Sequence, residues 1–197
     1  MFRKHIDEIL FSEKVLTAED KKMVDNFSTG THYPEAGLAD YLRTYAIEDI
    51  ANGEGVTHLI INKKDDSIIG YYTLVSSALP YYYRTNDNGQ YYQVLCGIPA
   101  IEVRMFAIDE SYQDVFIGDT PISAIVFRHI VDYVCKLSET SAGIKAIYLH
   151  TLPSAQRFYE KNGMQKCEKY FVPFASEDDD LLVMYALINE CNIVYEE

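Results

Sequence analysis

Nine residues constrain the fold of this chain more than any others: Ile101-Glu102-Val103-Arg104-Met105-Phe106-Ala107-Ile108-Asp109. Ile101, Val103, Met105 and Ala107 alternate with Glu102, Arg104, Phe106 and Ile108, which is the period of an extended strand. Both sets are largely apolar, so the strand is expected to be covered on both faces and central in a mixed sheet. The chain then runs through residues 109–119 to Thr120-Pro121, where Thr suits a helix cap and Pro the first helical position. Ile122, Ile125, Val126, Ile130, Val131, Val134 and Leu137 recur at helical spacing. Strand, turn and helix N-terminus in that order bring unpaired backbone N–H groups together, which makes an anion site conceivable there.

The rest of the chain alternates between the two periods. Residues 144–150 read as a second strand, and residues 153–164 as a short helix closed by Gly163. Upstream, residues 1–25 are charged and modestly helical, and residues 26–30 form a turn. Residues 37–51 place Leu38, Tyr41, Leu42, Tyr45, Ala46 and Ile50 on one helical stripe, ended by Gly53 and Gly55. Residues 56–62 and 68–75 read as two strands joined through a polar hairpin. Residues 79–96 are rich in tyrosine around Asn88-Gly89, a good hairpin turn; the rings could cover a sheet edge, wall an acceptor site or meet a second copy in a homodimer. Residues 170–180 form an acidic loop whose Asp178-Asp179-Asp180 run is expected to be a solvated face, and residues 181–188 a final strand.

Composition removes several classes. With 197 residues the chain fits a single domain, residues 1–197. No run approaches a membrane span, and the first eight residues lack the apolar segment of a signal peptide, so a cytoplasmic protein is expected. Cys96, Cys135, Cys167 and Cys191 are widely spaced; reduced, mostly buried thiols are expected, with no metal site. The 17 basic and 30 acidic side chains leave a net charge of −13, which disfavours nucleic acid and suits cationic acceptors such as amines.

Residues 104–109, Tyr112-Gln113, Ile117-Gly118 and, most specifically, Ala155-Gln156-Arg157-Phe158-Tyr159-Glu160-Lys161-Asn162-Gly163-Met164 carry a resemblance. They resemble the GCN5-related N-acetyltransferase (GNAT) superfamily. The helix at 37–51, the hairpin after it and Gly70-Tyr71-Tyr72-Thr73-Leu74 are similar to one branch, the acetyltransferase toxins of bacterial toxin–antitoxin pairs and their chromosomal relatives. The resemblance runs from about residue 26 to 165. It implies an α/β (α+β) fold whose mixed, mostly antiparallel sheet splays at the cofactor cleft, with helices on both faces. It also implies acetyl transfer from acetyl-CoA, directly, to a primary amine of a small molecule or protein. Phe106, Ala107 and Ile108 would then meet the pantetheine arm, Gln113, Asp114, Val115, Phe116, Ile117, Gly118 and Asp119 the pyrophosphate, and Tyr159 would be the general acid.

One departure accompanies the match: Phe116 stands where the phosphate loop of the family has glycine. Glycine there permits positive φ and close backbone approach, and Phe provides neither. The loop then takes another course to the helix terminus, or grips phosphate weakly, or no longer binds the cofactor. For the base, Glu102 is a candidate, although an ion pair with Arg104 or a solvent-facing place is the favoured reading of it; His150 and Asp109 are weaker candidates, and the amine could simply lose its proton to water. Two other functions stay open. One is toxin-like acetylation of an aminoacyl-tRNA, which the acidity disfavours; the other is a GNAT-shaped binding module without activity, which Phe116 would suit.

Overall fold

The structure, a computed structural model, describes residues 4–30, 35–87, 89–167 and 181–188. Its packing divides the chain into two units, Met1–Val75 with Val103–Ile130 and Ser76–Glu102 with Val131–Glu197. The first holds β1 (Lys4–Ile6), β2 (Phe11–Val15), α1 (Lys21–Val24), α2 (Glu35–Thr44), α3 (Ala46–Asn52) and β3 (Val56–Asn62). Two long strands, β4 (Ile68–Asp87) and β5 (Gln90–Ile108), contribute residues to both units. After β5 come β6 (Val115–Ile117), β7 (Thr120–Pro121) and α4 (Ile122–Thr140), whose second half belongs to the second unit. That unit is completed by β8 (Ala146–Thr151), α5 (Gln156–Lys161), β9 (Gln165–Lys166) and β10 (Leu182–Leu187). Among the described residues no helix is long and apolar enough to cross a membrane.

In the first unit the strands lie in the order β2-β3-β4-β5, with β2–β3 and β3–β4 antiparallel. In the second the order is β4-β5-β8-β10-β9, with β5 and β8 parallel and β8–β10 and β9–β10 antiparallel. A separate three-stranded sheet runs β1-β6-β7. The expected central strand is thus present and longer than its alternating core, because the Tyr-rich stretch extends both β4 and β5 to a turn at Gly89, φ +83°.

Two other expectations change. The N-terminal residues are not helical up to Asp25; they form β1 and β2 before a 3₁₀ turn at Ala18–Asp20 and the four-residue α1. Pairing explains this, since β1 lies along β6 and β2 along β3, and tertiary partners override a weak local helical preference. The helix expected at 37–51 is two helices. Tyr45, at φ −111°, interrupts it, yet its N–H still reaches the Tyr41 carbonyl (2.9 Å) and its own carbonyl accepts from Asp49 N (2.9 Å). The axis bends without losing its backbone bonds. The acidic run at 178–180 lies outside the described residues.

The core of the first unit is built around Tyr71, fully buried on β4. Phe27 meets its ring edge-on at 5.4 Å, Tyr41 stacks at 6.4 Å, and its hydroxyl donates to the Leu38 carbonyl at 2.6 Å. Burial pushes the Tyr71 phenol far above its ordinary value, so it stays neutral. Leu42, Ala46, Leu59 and Phe27 close around it, each such large side chain contributing about 1.5–3 kcal/mol. The second unit packs Leu79, Ala100, Ala146 and Tyr148 together, with Ile98, Val183 and Tyr185 against them.

Glu13 ties four elements of the first unit. Its Oε1 accepts from His58 Nδ1 on β3 (2.5 Å) and Tyr72 hydroxyl on β4 (2.7 Å), and its Oε2 from His129 Nε2 on α4 (2.5 Å). Burial raises the carboxyl pKa, but hydrogen bonds from His129, His58 and Tyr72 together outweigh it and hold the group well below the carboxylate range. Because the folded-state value lies below the ordinary 4.5, this stabilisation is complete above 4.5 and is lost as pH falls through the folded-state value. Glu13→Gln should therefore destabilise the protein by about 2 kcal/mol near neutrality, the scale of losing charge-assisted bonds. In urea melts at neutral pH and again below pH 4.5, the gap between variant and parent should shrink at the lower pH.

Gly70 lets β4 approach the end of β5 closely. A Cβ there would lie 2.5 Å from the Ala107 carbonyl oxygen and 2.8 Å from Ile108 Cδ1. Gly70→Ala must push the strands apart, at about 1–3 kcal/mol. Thermal melts should show a midpoint lowered by roughly 2–4 °C per kcal/mol.

Candidate active site

The end of β5 is rigid because its neighbours use up its polar groups. Ala107 and Ile108 are buried, and Phe106 packs on Phe127 of α4 with ring centroids 5.6 Å apart. Asp109 N donates to the Ile69 carbonyl at 2.9 Å. The Asp109 carboxylate accepts from Ser28 N (2.9 Å) through Oδ2, and from Ser111 N (3.0 Å) and Ser111 Oγ (2.6 Å) through Oδ1. That side chain closes a turn, which is what Asp does well in loops. Gln113 folds back the same way, its Nε2 donating to the carbonyls of Ile108 and Thr29, both at 3.2 Å.

The stretch expected to bind pyrophosphate follows another course to the helix. Val115–Ile117 is the middle strand of the small sheet, with Lys4, His5 and Ile6 beside Val115, Phe116 and Ile117 on one edge and β7 on the other. Lys4 N donates to the Asp114 carbonyl at 2.9 Å, the His5 ring lies 5.7 Å from that of Phe116, and His5 Nδ1 is 3.1 Å from the Gly118 carbonyl oxygen. Phe116 keeps an ordinary negative φ, while Gly118, at +56°, supplies the left-handed residue that turns β6 into β7. Asp114 and Asp119 flank this hairpin. Backbone groups of residues 115–117 are engaged in ladders. The N–H groups at the start of α4, from Ile122 to Ala124, have no carbonyl earlier in their helix to pair with.

In the second unit, Tyr159 lies on α5. Pro153 opens the preceding 3₁₀ turn, and Gly163, at φ +85°, ends the helix while Met164 N returns to the Tyr159 carbonyl at 3.0 Å. Tyr159 is buried, with the Thr151 side chain beside its phenol. Burial pushes the phenol up to about 12, the Thr151 side chain opposing it, so the group carries its proton throughout the neutral range. Phe158 is the more exposed of the two and meets Tyr159 edge-on at 5.0 Å.

The same unit brings together two residues that spacing alone could not pair. β5 and β8 share the rungs Ala100–Ala146, Ile101–Ile147 and Glu102–Tyr148. At the last of these, Glu102 Oε1 lies 3.4 Å from His150 Nδ1, with side chains 16% and 22% exposed. The Tyr148 ring meets that of His150 edge-on at 5.9 Å, and its hydroxyl is 2.6 Å from Ser77 Oγ. In the first unit, Arg104 Nη1 donates to the Glu54 carbonyl at 3.2 Å. Free thiols at Cys96, Cys135 and Cys167 are only partly buried, less so than expected; burial raises the Cys135 pKa, and that of Cys167 to about 11, away from a reactive thiolate. Among the described residues no cluster of three or more His, Cys, Asp or Glu side chains is placed to hold a metal.

Comparison with known proteins gives a consistent result at the level of structure. No family model matches the chain, and no curated protein matches it. A structure of the toxin AtaT carrying a tyrosine-to-phenylalanine mutation superposes with a TM-score of 0.64 at 20% identity, covering 96% of this chain and 95% of that one. AtaTR bound with acetyl-CoA gives 0.60 at 20% identity, with coverage of 91% and 94%. AtaT complexed with acetyl-methionyl-tRNAfMet gives 0.59 at 20% identity, with coverage of 88% and 93%. The chain therefore has the GNAT fold, in the form seen in these toxin structures.

Proposed function

We propose that this chain is an acetyl-CoA-dependent N-acetyltransferase and that its acceptor is the amino group of an aminoacyl-tRNA. The observation that carries this reading is the likeness over nearly the whole chain to AtaT, whose structures include one with acetyl-CoA and one with acetyl-methionyl-tRNAfMet. The local geometry supports it. Phe106, Ala107 and Ile108 form the strand end that would hold the pantetheine arm. Gln113 to Asp119 lead to the phosphate site; with residues 115–117 engaged in ladders, Gly118, Asp119 and the first N–H groups of α4 are the better donors and neighbours for pyrophosphate.

In the proposed reaction the acceptor amine loses a proton, its nitrogen attacks the thioester carbonyl, and the carbon–sulfur bond breaks as the tetrahedral adduct collapses. The second amine proton is then shed, and the departing thiolate gains one. Tyr159 is the proton donor to sulfur: burial keeps its phenol protonated through the neutral range, so the proton is present to be given as the carbon–sulfur bond breaks. Glu102 is the proton acceptor on the amine side. The products are the acetamide and free CoA thiol.

A second reading has its own support: the net charge of −13, which favours a small or protein-borne amine over RNA. Labelled acetyl-CoA offered together with charged tRNA, polyamines and Lys-bearing peptides separates the two. Label in the aminoacyl group is expected; label in the free amines alone would transfer the assignment to the second reading, and no label in any amine would defeat both. On the true acceptor, Tyr159→Phe should lower turnover on the order of 10²- to 10⁴-fold with the KM for acetyl-CoA nearly unchanged. Wild-type turnover in that variant would return Tyr159 to a packing role.

A further inference from the structure

We infer that His150 is the positioning residue for the proton acceptor Glu102, holding its carboxylate at the last shared rung of β5 and β8. This rests on the acetyltransferase reading above and adds a residue to it. The paired residues Ala100, Ile101, Ala146 and Ile147 are apolar, and Tyr148 is the partner of Glu102. A carboxylate that is only 16% exposed among such residues is expensive to desolvate unless a donor or cation faces it. His150 supplies that group at 3.4 Å from a neighbouring strand.

The imidazole is itself held. Tyr148 packs edge-on against it at 5.9 Å, and the Tyr148 hydroxyl is fixed 2.6 Å from Ser77 Oγ on β4. A chain of contacts therefore runs Ser77, Tyr148, His150, Glu102, all within one unit. His150 Nδ1 lies 3.4 Å from Oε1, close enough for the imidazole to restrain where the carboxylate sits. β8 continues for three residues past Tyr148, from Leu149 to Thr151, beyond the last rung it shares with β5.

Alternation on β8 adds a second point. Glu102, Tyr148 and His150 share one face of the sheet, since rung partners and alternate residues point the same way. Leu149 and Thr151 belong to the opposite face, so beyond Tyr148 it is His150 whose side chain shares the face of Glu102 at this end of β8.

The test uses purified full-length protein with the acceptor identified by the labelling assay, and compares His150→Leu, His150→Asn and Glu102→Gln singly and combined. Asn keeps an N–H donor near the position of Nδ1, and Leu does not. His150→Leu should lower turnover at neutral pH on the order of 10²-fold while acetyl-CoA affinity by titration stays unchanged. Raising the pH should restore much of that loss, because the amine then arrives without its extra proton. His150→Asn should recover most of the activity, and His150→Leu should cost little more in the Glu102→Gln background. Full activity in His150→Leu would overturn the inference, as would equal impairment of the Leu and Asn variants at every pH or additive losses in the double variant. Should Leu fail to fold, His150→Ala, which also lacks the N–H donor, takes its place in each of these comparisons. A wild-type protein that acetylates no amine would instead defeat the acetyltransferase reading, and this inference with it.

Discussion

The first unit depends on one carboxylate. Glu13 is the point at which β2, β3, β4 and α4 are joined, through His58, Tyr72 and His129 at 2.5–2.7 Å. Taking a carboxylate out of water costs several kcal/mol, and three donors converging on two oxygens are what offset it. His58 stacks on Tyr72 with ring centroids 4.8 Å apart, and Phe11 meets His129 edge-on at 5.2 Å, so the donors are themselves fixed. The helix that carries His129 is the one whose N-terminus follows the β6–β7 hairpin. Glu13 therefore bears on where α4 begins, although it lies on another strand and 109 residues earlier than Ile122.

From α4 the consequences reach the chemistry. In a glycine-rich phosphate loop the backbone itself curls around the anion. Here β1 and β7 occupy both edges of residues 115–117, Phe116 packs beside His5, and Gly118 alone provides a left-handed turn. The replacement of a middle glycine by Phe is thus accommodated by an added strand from the N-terminus. In the proposed function, phosphate would be met by the end of the hairpin and by the helix start. In the other unit, Tyr159 is a buried phenol that keeps its proton, and Glu102 lies 3.4 Å from His150 between neighbouring strands.

Much of this was legible in the sequence, and the limit has a physical form. Where a segment's own period decides its structure, the reading holds: the alternation through residue 108, the helical spacing after Pro121, the turn at Gly89 and the Gly163 stop are local signals. β1 and β2 were not legible because only partners far along the chain make them strands; Lys4 lies beside Val115, and Phe11 beside Asn62. The same is true of the side-chain clusters. Glu13 gives no hint in its neighbours that His58 and His129 converge on it, and Glu102 is 48 residues from His150, whereas Arg104, two residues away, had been the natural partner to expect. Alternation could have placed Glu102 on a face, but only the parallel register of β5 and β8 puts His150 on the same one.

The account stands on the claim that this GNAT fold still takes acetyl-CoA although its phosphate loop is a strand. Calorimetric titration of the purified chain with acetyl-CoA tests that directly. One binding site per chain is the result predicted, with the affinity weakened when Ser123, at the start of α4, is replaced by Pro and its N–H is lost. No heat of binding up to millimolar acetyl-CoA would contradict it, and would make the chain a GNAT-shaped binding module.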